Sequence, residues 1–326
     1  MIELAPGIYQ LDLPLRNNPL KSLNCFFITG EDSLIIDTGF NTEEGEALIR
    51  EAMETLGMVP EKTSLFLTHL HSDHTGLAAR LGEWGIKIFM GERDHELLQD
   101  SLDPNGSYWS QEIENANRQD LSQEKLRLSD HPGYKYRPLA LPEIKTTQEG
   151  DVFLVGEYAL QVIDLPGHTP GLQALYEPEH GFLFSGDHIL ERITPNITYW
   201  GAFFEDSLKQ YLKSLDKVLG LSVTRVFSSH RELPTDHRAR VEQIRQHHDD
   251  RLQECREILQ AGPASVRDVT RQLHWDIRAK TWEDFPASQK WFAAGEAQAH
   301  LVHLRDLGEV IENEQEGIVY YQLISS

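Results

Sequence analysis

The sequence is poor in cysteine, in basic charge and in long apolar runs, and each shortage removes a class of protein. Its 326 residues include two cysteines, Cys25 and Cys255, far apart and without a CxxC or CxxH neighbour. Neither a disulfide framework nor a cysteine-based metal site is available, and both side chains are expected as free thiols in a reducing compartment. No apolar run approaches the roughly eighteen residues of a membrane-spanning helix, and MIELAPGIYQLDLPL has no basic segment followed by an apolar one. A soluble cytoplasmic protein with no membrane partner is expected. Lys and Arg number 30 against 52 Asp and Glu, a formal charge of −22. Such a field repels polyanions, so a small-molecule substrate is favoured over nucleic acid. There is no GxSxG turn for a serine nucleophile, no low-complexity tract and no internal repeat.

What is present is an ordinary globular composition with 40% hydrophobic residues. Short apolar runs and turns open the chain: GIYQLDL, then CFFIT and SLIID joined through Gly30-Glu31-Asp32, a hairpin pattern. A helix is predicted over 43–57, then the buried strand SLFLT, a helix in GLAARLGEW and the strand KIFMG. Residues 92–145 break the rhythm with polar helix-prone stretches and the Pro-rich HPGYKYRPLALPEI, which reads as a lid or binding insertion. Strands resume with DVFLV, YALQVIDLP, LQALYE, GFLFSGD and TRVFSSH. From 241 to 326 the pattern is helix, helix, helix, hairpin, the order of a winged-helix module, with the third helix starting at Pro286 and stopping before Gly308. Mixed α+β layering follows.

Just beyond SLFLT stands THLHSDHTG. Residues i and i+2 of an extended chain share a side, so His69 and His71 can face one ion. Asp73 and His74, where the chain turns into the next helix, are aimed differently and can serve a second. Imidazole with carboxylate suits Zn²⁺, and also Fe or Mn. One segment cannot fill two coordination spheres, so further ligands are expected at other strand ends. His168 follows YALQVIDLP, Asp187 follows GFLFSG and His230 follows VTRVFSS.

The motifs THLHSDHTG, PGHTPG, FSGDHIL and SSH, in that order and preceded by IDTGF, resemble the metallo-β-lactamase superfamily, and within it the glyoxalase II-like and β-lactamase-like hydrolases. Their span is roughly residues 1–240. The resemblance implies a four-layer αββα sandwich, with residues 92–145 as a helical insertion. It also implies two divalent metal ions, one on His69, His71 and His168, the other on Asp73, His74 and His230, with Asp187 bridging. The tail, with WEDFP and GEAQAHLVHL, resembles the winged-helix appendage of one branch. The implied chemistry is attack by a hydroxide held between the ions on a thioester, ester or lactone, with Asp73 orienting it and later delivering a proton. Three alternatives stand beside it. One is a phosphodiesterase or ribonuclease. Another is a mononuclear-iron persulfide dioxygenase, needing only the three histidines of the first set. The last is a binding module without catalysis.

The remaining candidates have blander readings. Asp37 in IDTG is expected to support a ligand histidine through hydrogen bonds at a tight turn. His188, adjacent to Asp187, reads as a neighbour, and His237 as a rival to His230. Tyr199 is a candidate oxyanion donor. Tyr108, Trp109, Tyr134 and Tyr136 either line a substrate cleft or pack the insertion on the sandwich. His300 and His303 lack an acidic partner nearby in sequence and read as packing groups. The third tail helix is too acidic in its surroundings to read DNA. Its alanines, with an apolar turn at Trp291 and Phe292, suggest a homodimer.

Overall fold

The computed structural model describes residues 1–201, 204 and 206–324. Two sheets stand face to face. The first has seven strands in chain order, from Ile2–Ala5 to Ile144–Thr147. Its early pairs are antiparallel, while Ser33–Ile36, Thr63–Leu67, Lys87–Gly91 and Ile144–Thr147 run parallel. The second has five, from Val152–Val155 to Arg225–Ser228, and only its last pair, Phe182–Gly186 with Arg225–Ser228, is parallel. Strand Ser22–Ile28 shows why the sheets meet. Phe26 and Ile28 join Phe66, Leu160, Val162, Phe184 and Phe227 between the sheets, whereas Cys25 and Phe27 face the other way. That alternation of two apolar faces makes the strand central.

On the outer face of the first sheet, Cys25 and Phe27 meet Ile49 and Met53 of helix Glu43–Leu56 and Leu77 and Leu81 of the following segment. Thr42 caps that helix by accepting from the Gly45 amide, and Gly57 ends it at φ 67. Leu208, Tyr211 and Leu215 of helix Ser207–Leu219 cover the outer face of the second sheet. The order is helix, sheet, sheet, helix.

The tail comprises helices His237–Leu259, Val266–Gln272 and Ala287–Asp306, and a sheet in which Ile318–Leu323 lies between Val310–Gln315 and the two-residue strand Ala264–Ser265. That short strand was not legible in the sequence. The tail is not hung on a linker: one buried cluster runs from Leu183 and Val226 of the second sheet through Tyr211 to Ala297, Leu301 and Tyr321. Trp291 and Phe292 lie inside helix Ala287–Asp306 rather than at a turn, and Trp291, Ala293, Ala294, Ala297 and Ala299 are buried within the chain. That helix therefore gives no argument for a dimer.

The insertion differs from expectation at its end, because Ile144–Thr147 is an edge strand of the first sheet. Its helices, Glu92–Leu102 and Tyr108–Arg118, lead to a stretch bound to the tail: Arg267 Nε lies 2.6 Å from Glu124 Oε1, and Gln119 Nε2 donates to Gln298 Oε1 at 2.6 Å. Glu124 also pairs with Lys290, and despite the upward push of partial burial the two cations and their hydrogen bonds hold its carboxyl at about 2.

His300 and His303 do have partners. His303 Nδ1 lies 2.9 Å from Asp206 Oδ2, and His300 Nε2 lies 3.0 Å from His248 Nδ1. Burial, only partly offset by Glu296, lowers His300 from 6.5 to about 4. A histidine depressed on folding binds fewer protons native than unfolded, so it removes stability as pH falls from 6.5 toward 4. The melting temperature of the wild type is expected to fall more steeply across that window than that of His300→Gln. Parallel melting curves against pH would sink the assignment.

Candidate metal centre

All the proposed ligands stand at one end of the sandwich, because each follows the C-terminal end of a strand whose apolar residues are locked between layers. His69 and His71 leave Thr63–Leu67, His168 leaves Tyr158–Asp164, Asp187 leaves Phe182–Gly186 and His230 leaves Arg225–Ser228. Asp73 and His74 lie in the short helix Ser72–Thr75. The loop carrying His168 needs Gly167: at φ 142, a Cβ there would lie 2.4 Å from Tyr211 Cβ.

Three groups of donor atoms converge: His69, His71 and His168; His69, His74 and Asp187; and Asp73, His74 and His230. In the first, His71 Nδ1 lies 3.0 Å from both His69 Nε2 and His168 Nε2. Tetrahedral zinc with nitrogen ligands at about 2.0–2.1 Å requires neighbouring nitrogens about 3.3 Å apart, so the spacing is that of a coordination sphere. Asp187 reaches both sides: Oδ2 is 3.6 Å from His168 Nε2, and Oδ1 is 3.6 Å from His74 Nε2 and 3.3 Å from His230 Nε2. Asp73 Oδ2 lies 3.5 Å from His230 Nε2.

The histidines are oriented from behind. His74 Nδ1 donates to Asp37 Oδ2 at 2.8 Å, His168 Nδ1 to the Asn196 carbonyl at 2.8 Å and His230 Nδ1 to the Ser22 carbonyl at 2.8 Å. His69 Nδ1 lies 3.0 Å from Thr68 Oγ1, whose hydroxyl donates to Asp37 Oδ2 at 2.9 Å. Asp37, at φ 62 and buried, also accepts from the Thr68 amide at 2.9 Å. In each case the proton on Nδ1 leaves Nε2 with a lone pair aimed into the cluster.

These residues fit divalent cations. Burial, with mutual repulsion, drives His69 and His71 well below the ordinary imidazole range and lowers His168, which favours the neutral imidazole, with one N–H and one lone pair, throughout the first set. On the other side burial is outweighed by carboxylates. Asp37, Asp187 and Asp73 raise His74, and Asp187 and Asp73 raise His230, while those imidazoles hold Asp187 well below the carboxylate range. Buried His74 Nε2, His230 Nε2 and Asp187 Oδ1 have no hydrogen-bond partner. Three buried donor atoms without a partner, beside three neutral imidazoles, are the arrangement a bound cation satisfies.

Other candidates fall elsewhere. His188 is buried against the Tyr211 ring at 5.2 Å, outside the three groups, and its burial lowers it to about 3. His237 opens the long tail helix and is likewise outside them. Tyr199 packs on the cluster shared with the tail. Tyr108 packs on the cluster outside the first sheet, with Trp109 at 4.7 Å. Trp109 in turn meets Tyr134 at 5.1 Å, and Tyr136 stacks on Phe40 at 4.3 Å. Around the ligands themselves stand residues the sequence did not single out. Trp200 stacks on His71 at 6.1 Å and donates to the His168 carbonyl at 3.2 Å. Asp94 accepts from the Leu70 amide at 2.9 Å, the Thr169 hydroxyl at 2.7 Å and the Gly171 amide at 2.6 Å, tying both ligand loops together. His131 is close enough to depress His71 further and touches Trp291 at 5.5 Å. No local pattern marks these positions, since each acts through a distant partner.

Comparison with known proteins agrees with this geometry. Acyl-coenzyme A thioesterase MBLAC2 of Gallus gallus is 27% identical over 175 residues, 52% of this chain and 58% of its own length. Hydroxyacylglutathione hydrolase GloC of Haemophilus influenzae is 29% identical over 171 residues, 52% of this chain and 67% of its own. The chain thus spans less than two-thirds of the first curated relatives it matches, 65% of an uncharacterized protein of Aquifex aeolicus and 58% of the Gallus gallus enzyme. A metallo-beta-lactamase family protein from Thermus thermophilus superposes at a TM-score of 0.79 with 25% identity, covering 99% of this chain and 100% of that one. No helix among the described residues is long and apolar enough to cross a membrane. Residues 19–230 match the pattern of the metallo-beta-lactamase superfamily, and with that match over more than half its length the chain belongs to this superfamily.

Proposed function

We propose that the protein hydrolyses a thioester, using two divalent ions, zinc by the predominance of imidazole, held by His69, His71, Asp73, His74, His168, Asp187 and His230. The observation that carries this reading is the second donor group, Asp73 with His74 and His230, beside a complete set of three histidines. When bound, such a pair supplies a nucleophile at neutral pH and a Lewis acid for the substrate carbonyl oxygen. The chain's own part is to aim the imidazoles, to exclude bulk water with buried walls, and to handle the proton at Asp73. Its carboxylate is the least covered of the second group, 13% exposed, and so can meet both an attacking water and a departing thiol. Thioesters are favoured over other carbonyl substrates by the activities for which the relatives from Gallus gallus and Haemophilus influenzae are named.

A phosphodiesterase is disfavoured by the net charge of −22. An iron site for persulfide oxidation would leave the second donor group without a task. The tail is read as a winged-helix-like unit over 241–326 that packs on the catalytic part over 1–240, and the two buried free cysteines support a cytoplasmic location. The test is a panel of thioester, lactone and phosphodiester substrates on metal-reconstituted protein, repeated after chelation. Thioester turnover that vanishes with the metal and with His69→Ala is expected. Phosphodiester cleavage alone depending on both would overturn the proposal.

A further inference from the structure

The long tail helix Ala287–Asp306 has a link to the metal centre that is specific to one side of it. His168 is held by a backbone carbonyl, that of Asn196, in a segment without regular secondary structure. A carbonyl on such a segment can orient an imidazole only if the segment is itself anchored. The tail helix anchors it. Asn196 Nδ2 donates to Glu296 Oε2 at 2.8 Å and to the Phe292 carbonyl at 3.3 Å. The Tyr199 amide donates to the Gly295 carbonyl at 3.0 Å, and Asp206 meets His303 at 2.9 Å. Gly295 permits the approach, since a Cβ there would stand 2.0 Å from Thr198 Oγ1. Glu296 is fixed in turn, with Oε1 3.7 Å from both Arg251 Nε and His247 Nε2 of helix His237–Leu259.

The same segment carries Trp200, which stacks on His71. It therefore touches two of the three residues in the first donor set. The second set is supported from other directions, His74 by Asp37 and His230 by the Ser22 carbonyl, both within the sandwich.

We propose that the tail helix is the outer support of the first metal set, with Asn196 and Glu296 as positioning residues that hold His168 for its ion while leaving the second set to the sandwich. This rests on the two-metal reading above. Partners behind a ligand histidine contribute about 10–100-fold in metal affinity. In the full chain loaded with zinc, and in parallel with cobalt, chelator competition is expected to show Asn196→Ala and Glu296→Ala weakening one of two metal equivalents about 10–100-fold. The other equivalent should stay within about twofold, and Glu296→Gln, which keeps an oxygen acceptor for Asn196, should recover most of the loss. The cobalt absorption of the weakened equivalent should change, and that of the other should not. If Glu296→Ala fails to fold, Asn196→Ala on the partly exposed segment carries the same test.

A wild type that binds two ions, with both equivalents weakened alike or neither affected, overturns the support role and leaves the two-metal reading intact. A wild type that binds no divalent ion overturns both.

Discussion

Asp73→Ala is expected to lower kcat/KM for a thioester by about 10²–10⁴-fold, the contribution of a positioned proton-transfer group, without lowering the melting temperature of the metal-free protein. The second half of that expectation follows from the position of Asp73. It sits on the short helix Ser72–Thr75, partly exposed, and its carboxylate meets His230 at 3.5 Å. Asp187, another carboxylate, meets the same imidazole at 3.3 Å. Asp73 also attracts His74 and His230, but its carboxylate is partly exposed, Asp187 remains against His230, and no buried packing is deleted, so stability changes little. Asp73→Asn keeps the shape and one oxygen donor but cannot accept a proton. It is expected to keep most metal binding and lose most turnover, which separates holding an ion from moving a proton. Thioester turnover in Asp73→Ala above about a tenth of wild type would mean that the proton is handled elsewhere and would sink the role assigned to Asp73.

The sequence announces those parts of the site whose chemistry is local. THLHSDHTG shows four donors at once because two extended residues share a side and the helix that follows re-aims the next pair. His168, Asp187 and His230 are found by place, each directly after an apolar run that reads as a strand. Asp37 is visible as an acid in a tight turn. What escapes is whatever acts across the fold. Asn196 works through its backbone carbonyl, which carries no residue signature. Trp200 is not distinguished in the sequence from its neighbour Tyr199, because the alternation that decides which of two adjacent aromatics faces the ligands is not readable in a segment without regular structure. The strand Ile144–Thr147 is hidden at the end of a Pro-rich stretch, since an edge strand with exposed residues shows no buried face. Asp94 looked like one more polar residue of ERDHELLQDSL, although it is completely buried.

That burial makes Asp94 the residue whose loss should do most harm to the fold near the site. Asp94→Ala strands the amides of Leu70 and Gly171 and the hydroxyl of Thr169. At about 1–3 kcal/mol for each unmet donor, partly offset by removal of the cost of burying a charge, a net loss of about 3 kcal/mol is expected. The loops bearing His69, His71 and His168 lose their shared tie, so affinity for metal should fall as well, by about 10–100-fold. Asp94→Asn should cost less: an oxygen in the Oδ2 position still accepts from Leu70 and Thr169, while its amide group faces the donor of Gly171 unfavourably.

The pH dependence distinguishes this from a packing defect. Burial, against three hydrogen bonds that pull the other way, raises the Asp94 carboxyl from 3.8 to about 6. The native state then binds the proton more tightly than the unfolded chain, and the group's contribution is largest below 3.8 and declines as pH rises toward about 6. In the metal-free protein, the stability advantage of wild type over Asp94→Asn should shrink across that interval and be constant above it. Chemical denaturation of both proteins from pH 4 to pH 7 measures it. An advantage that grew with pH would mean that the three donors outweigh burial and that Asp94 is held as a carboxylate from the start.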